Sequence, residues 1–380
     1  MCTSSMRLDR NAVPNCGRVP GRARESIGSR LLARLLIGVG LLTCFVARIA
    51  WAQETNGPSE LSRPLEARVP VLSNSESWER LPEADEGSGA ALPVWARALA
   101  NSLPRTTAAM LELDWLHRAN SPLDPRVRGM MRWTVAHANR CAYSKAYAAT
   151  DLRRAGLAQN EIDALDVAAA TRSEAEQAAL VFARKLTLEA DAVTDGEVAR
   201  LVEWYGDKQV VAMVLLVAYA NFQDRLFLSL GLNVEPGGPL APVGVRFAKD
   251  QSSKSITVPK RQQPVEQLDK SRANEAIKID DADWLSVDFS TLQNKLEAQR
   301  DRPGRIRVPA WDEVRERLPE RSRRNDPLRI KWSLVCLGYQ PELALAWSAC
   351  MRAFGEEAKQ NRVFEETLFW VITRSIHCFY

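Results

Sequence analysis

Arg132-Trp133-Thr134-Val135-Ala136-His137-Ala138-Asn139-Arg140-Cys141-Ala142-Tyr143-Ser144 reads as an apolar helix that delivers a cysteine to its far end. The last fifteen residues, Glu366-Thr367-Leu368-Phe369-Trp370-Val371-Ile372-Thr373-Arg374-Ser375-Ile376-His377-Cys378-Phe379-Tyr380, read the same way. A shift of 237 positions carries Cys141 onto Cys378 and puts Trp133 on Trp370, Val135 on Ile372 and Tyr143 on Tyr380. The same shift puts Trp95 on Trp332 and Pro104 on Pro341. Tryptophan is rare, so two matched tryptophans at one offset predict an internal repeat. The period is far too long for a solenoid, and the expectation is two copies of a domain.

Working outward from the first stretch, every strong signal is helical. Pro122-Leu123-Asp124-Pro125 breaks the chain and opens the helix that runs into Cys141, and Gly156 is a stop for the helix after it. Ser173-Glu174-Ala175-Glu176 and Thr194-Asp195-Gly196-Glu197 are capping boxes, in which hydroxyl and carboxylate satisfy each other's backbone amides. Val210 to Leu230 is apolar on most faces and long, which predicts a central buried helix. Period-two alternation is absent, so the fold class is all-α. The expected organisation is a leader over 1–52, a flexible Ser-, Pro-, Glu- and Gly-rich lead-in over 53–90, and a helical domain over 91–235. A Lys-, Gln- and Ser-rich linker over 236–280 and a partial second copy over 281–380 follow.

The leader is Arg-rich, passes through an apolar run from Leu35 to Val46, and ends on Ala50-Trp51-Ala52 before polar Gln53. That layout predicts export, with a mature N-terminus near Gln53 by mass spectrometry. Left uncleaved, the same segment would be the chain's membrane contact. Eight arginines against Asp9 and Glu25 give this leader a net positive charge that exceeds the whole chain's, and the remainder is close to neutral. No electrostatic case for nucleic acid follows. Three histidines (His117, His137, His377) without a Cys-x-x-Cys argue against zinc, and no Gly-rich phosphate loop or other cofactor motif is present.

Leu123-Asp124-Pro125-Arg126, the apolar helix, Asn139-x-Cys141-x-Tyr143 and a long helix ending Asn221-Phe222-Gln223-Asp224-Arg225 together resemble the carboxymuconolactone decarboxylase family. The similarity is to its alkylhydroperoxidase D-like branch, over about 95–235 and in part over 326–380. The resemblance implies an all-α, alkylhydroperoxidase D-like fold, a homo-oligomer, and thiol-based peroxide reduction fed by a thiol electron donor. Redox members carry a Glu, then Cys-x-x-Cys, then a His. The helix N-terminus activates the first thiol, the second closes a disulfide, and Glu and His relay protons.

This pattern lands unevenly on the two copies. In the first, the Glu position is Gly129, the second-thiol position Ser144 and the His position Ala148, so Cys141 alone survives. His137, one helical turn earlier, is the candidate for favouring its thiolate. In the second copy Glu366 stands at the Glu position and Cys378 at the first thiol, and the chain stops one residue short of the second. The expectation there is a reading frame cut short. The candidate catalytic residues are therefore Cys378, Glu366, Cys141 and His137, with no metal and no cofactor. Two readings stay open: a peroxidase-related exported protein whose first copy is inactive, or a helical pair that keeps the fold for assembly or ligand binding.

Overall fold

The capping boxes predicted from sequence open two of the helices that build the domain. Thr194 Oγ1 accepts from the Glu197 amide, the Glu197 carboxylate accepts from the Thr194 amide, and Ser173 and Glu176 do the same. The structure, a computed structural model, describes residues 66–166, 172–247, 288–300, 304–323, 326–359 and 361–376. All of them belong to one unit, Leu65–Tyr380.

In chain order the elements are α1 (Asn74–Arg80), β1 (Ala84–Glu86), α2 (Val94–Leu99), α3 (Pro104–Arg118), α4 (Pro125–Ala138), α5 (Ala142–Arg154) and α6 (Gln159–Asp163). Then come α7 (Glu174–Leu188), α8 (Asp195–Leu230), β2 (Arg246–Phe247), α9 (Phe289–Arg300), α10 (Trp311–Arg317), α11 (Lys331–Tyr339), α12 (Pro341–Ala358) and α13 (Arg362–Ser375). Among the described residues the fold is all-α apart from one small antiparallel pair, Ala84 opposite Phe247. Strands this short leave no alternation to read in the sequence.

α4 is the centre. Asp124 Oδ1 caps it by accepting from the Arg126 and Val127 amides, and Pro125 at the first turn gives up no hydrogen bond. Val127, Met130, Met131, Trp133 and Val135 are buried against α5, α7 and α8. α8 joins the predicted start at Thr194 to the predicted apolar helix from Val210, with a kink at Gly206, whose φ of 74° suits a residue without a side chain. Among the described residues α8 is the helix long and apolar enough to cross a membrane by length and composition. Its Val210, Val211, Met213, Leu216, Val217 and Ala220 are buried in the domain core.

Two boundaries move. The lead-in is folded from Ser73, whose hydroxyl and the Glu76 carboxylate form a capping box for α1. Asn74 and Trp78 both donate to the Ala90 carbonyl, and the Arg68 amide reaches Leu230 O at 2.9 Å. The linker begins later than Pro236, because Val245 and Phe247 are buried beside α3 and β1. A few buried side chains anchor both segments, too few to override their polar composition in a sequence reading. Residues 53–65 and 248–280 lie outside the described ones.

Candidate functional site

The helix before Cys141 ends earlier than its apolar pattern. α4 stops at Ala138, and Arg140 adopts a left-handed φ of 56°. The chain thereby turns and sets Cys141 as the residue that opens α5. A thiol at a helix N-terminus is ordinarily activated by the helix dipole. Here burial outweighs the dipole. Cys141 is 1% exposed, packed with Trp95, Tyr143, Tyr147 and Tyr219. Burial pushes its thiol pKa up, the Asp224 charge adds to that, and Ser144 and Arg132 pull the other way without prevailing. The thiol donates to Ser144 Oγ at 3.5 Å.

Ser144 is held from a second side. Arg132 Nη2 donates to Ser144 Oγ at 3.1 Å and to Gln223 Oε1 at 2.8 Å, while Nη1 faces Asp224 Oδ1 at 3.2 Å. The Asp224 side chain is 0% exposed and also accepts from Asn139 Nδ2 at 2.9 Å. Gln223 Nε2 donates to Tyr219 OH at 2.7 Å and to Asp114 Oδ1 at 3.0 Å. Asp114 pairs with Arg118, whose guanidinium forks onto Asp151 at 2.8 and 2.9 Å. A continuous polar chain thus runs from the thiol through α4, α8 and α3 to α5, inside an otherwise apolar core.

Between His137 and Cys141, predicted to lie one helical turn apart, the helix is interrupted. The early end of α4 breaks the four-residue helical spacing that would stack one over the other. His137 is exposed, lies flat on Trp133 at 5.1 Å, and presents Nδ1 to Lys145 Nζ at 3.2 Å. Ser144 is the thiol's partner instead. Gly129, at the family's Glu position, is where α4 and α5 touch. A Cβ there would lie 2.6 Å from Leu152 Cδ2, and Leu152 is fully buried. Ala148, at the His position, is buried among the same residues. Glu366 is exposed on α13, 3.8 Å from Arg362, and Cys378 lies outside the described residues.

Cys336 and Cys350 are also free thiols, raised by burial, Cys350 to about 11. Among the described residues no cluster of His, Cys, Asp and Glu is arranged to hold a metal. Sequence reasoning missed Arg132, Asp114, Tyr219, Gln223 and Asp224 as a site. The available signal was two adjacent polar residues, Gln223 and Asp224, inside an apolar central helix. Such groups must find partners when buried.

The polar chain carries a pH dependence. His117 is buried, stacked on Tyr219 at 4.5 Å, and burial first, then the Arg132 and Arg128 charges, push its pKa down to about 3. Its folded pKa is below the unfolded value near 6.5, so the unfolded chain binds the proton that the native one refuses. Stability is therefore full above about pH 6.5 and falls toward about pH 3, with a slope of up to about 1.4 kcal/mol per pH unit from this group. Replacing His117 by Phe, which keeps a ring on Tyr219, should flatten that part of a denaturation-versus-pH profile. An unchanged slope would assign the acid limb to other groups.

Fold and site define a helical domain built round a buried thiol at a helix start. Residues 104–185 match the model of the Carboxymuconolactone decarboxylase family. No curated protein sequence matches. Among solved structures, a protein of unknown function from Agrobacterium tumefaciens, assigned as a candidate antioxidant defence protein AhpD, is 19% identical with a TM-score of 0.31, over 34% of this chain and 88% of that one. A cysteine-to-alanine variant of the debrominase Bmp8, in complex with 2,3,4-tribromopyrrole, is 16% identical with a TM-score of 0.39, over 46% of this chain and 95% of that one.

Proposed function

We propose that this is an exported, alkylhydroperoxidase D-like member of the family, related to thiol-dependent peroxide reduction, whose first domain keeps Cys141 as a structural thiol. The observation that carries this reading is Ser144. It stands where a second thiol would close the disulfide, and its hydroxyl is engaged by both Arg132 and Cys141. A peroxide-oxidised Cys141 would find an alcohol there, and an alcohol cannot complete thiol–disulfide exchange. Gly129 and Ala148 leave no proton relay at the corresponding places.

The alternative role, a helical platform for assembly, is favoured by a specific contact: α12 packs along α3, with Leu343 and Cys350 joining the core that holds Cys141. The test is peroxide consumption by the full chain with a dithiol donor. The expected result is no turnover above the uncatalysed rate, unchanged by Cys141→Ser. Turnover abolished by Cys141→Ser would make Cys141 a one-cysteine catalyst and overturn the reading.

A further inference from the structure

α7 packs on the first segment of α8, and both bring the same helical spacing to one cleft. Ala178, Val181, Phe182 and Lys185 share one face of α7, at positions i, i+3, i+4 and i+7. Glu197, Arg200, Leu201 and Trp204 repeat that spacing on α8. Phe182 and Leu201 are buried where the helices meet, but Val181 stays 57% exposed and Trp204 37%. All eight line an open cleft of about 630 Å³, which is within the size range of small-molecule sites. None of them belongs to the polar chain of Cys141.

The charges of the cleft are not all answered within it. Lys185 Nζ donates to both Glu197 carboxylate oxygens at 2.9 Å, so those two groups neutralise each other. Arg200 follows one turn after Glu197 and one turn before Trp204, with its guanidinium 5.9 Å over the Trp204 ring. Among the described residues Arg200 pairs with no carboxylate. Glu174, the fourth charged residue of the lining, is exposed in the first turn of α7, two turns before Val181. The cleft thus presents an aromatic face with an unanswered cation beside it.

The α8 wall is held in place. Its segment ends at Gly206, two residues past Trp204, with φ 74° and ψ 159°, a conformation that glycine alone adopts readily. The later part of the chain ties both ends of the segment. Arg305 donates to Val193 O and to Asp195 Oδ1, each at 2.7 Å. Gln340 Nε2 donates to Lys208 O at 2.6 Å, and Tyr339 OH stands 3.1 Å from Asp207 Oδ2. We propose that the cleft is a binding site for a small aromatic carboxylate. The ring of the ligand lies against Trp204 and Val181, and its carboxylate is held by Arg200, whose planar fork matches two carboxylate oxygens. Fixed walls lower the ordering cost of binding. The site stands whether or not Cys141 turns over.

The test is photolabelling of the full chain with para-benzoylbenzoate, an aromatic carboxylate, and with benzophenone, its neutral counterpart, mapped by mass spectrometry. The carboxylate should label the peptides of α7 and the first segment of α8 saturably. Arg200→Gln should raise its half-saturation concentration about tenfold and leave that of benzophenone unchanged, while Arg200→Lys, which keeps the charge, should fall between Gln and the parent chain. Trp204→Ala should weaken both probes. Arg200 and Trp204 are both exposed, so these variants should keep the helical circular dichroism of the parent. Labelling that does not saturate, that falls on other peptides, or that is unmoved by Arg200→Gln overturns the site.

Discussion

Replacing Arg132 by Leu should destabilise the domain by about 3–5 kcal/mol, a large share of the stability of a domain of this size. Arg132 is the cation facing Asp224, whose side chain is wholly buried, and it also donates to Ser144 and Gln223. Removing one partner of a buried pair leaves the other charge without solvent or counter-ion, and that desolvation dominates the cost. Substituting Asp224 as well, to Leu, removes the stranded charge. The double variant should recover much of the loss, because an apolar pair of similar volume suits a core helix. Urea denaturation of the two singles and the double gives the coupling directly. Additive losses would mean that the pair is not coupled in the folded protein.

Restoring the family's acid should do harm. Gly129→Glu puts back the residue type that redox relatives carry at this spacing, yet a Cβ at Gly129 would sit 2.6 and 2.8 Å from the Leu152 side chain. Leu152 is packed in the core, so its side chain must shift against its neighbours. Overpacking of this kind costs about 1–3 kcal/mol for Ala alone, and Glu adds a longer, charged side chain against Leu152. The expected result is that Gly129→Ala lowers the unfolding midpoint, Gly129→Glu lowers it further, and neither gains peroxide turnover. Gain of turnover in Gly129→Glu with Ser144→Cys would place the loss of function in two residues rather than in the packing of α4 on α5.

How much of this was legible beforehand divides by physical cause. Helix starts were readable because caps are local: Asp124, Ser173 and Thr194 each act on amides within three residues. The fold class was readable because α4 and α8 carry long apolar runs. The end of α4 was not, since Asn139 and Arg140 interrupt no pattern and the turn depends on a single positive φ. The state of Cys141 was not either. Its spacing from the chain's other signals is the same whether the thiol is open to solvent or buried in the core. Buried partners drawn from three helices, Arg132 with Gln223 and Asp224 above all, are set by tertiary packing and leave only the oddity of polar residues in an apolar helix.

The offset of 237 positions marked residues whose surroundings differ. Trp95 is 2% exposed, stacked on Phe227, while Trp332 at the shifted position is 55% exposed. Trp133 is 4% exposed and Trp370 is 47% exposed. In each case the covering residues of the first domain come from α5, α7 or α8. In the later part of the chain α12 lies along α3, while α13 keeps Phe364, Leu368, Phe369, Trp370 and Ile372 exposed.

The central claim is that Cys141 is a protonated, sealed thiol. The most direct measurement is its alkylation in the native full-length chain as a function of pH, followed peptide by peptide by mass spectrometry. The account predicts that Cys141 stays unmodified at neutral pH while the denatured chain labels readily, and that reactivity appears only above the ordinary thiol range near 8.5. Rapid labelling of native Cys141 at neutral pH, with an apparent pKa below that range and conversion to a sulfenic acid by peroxide, would contradict it.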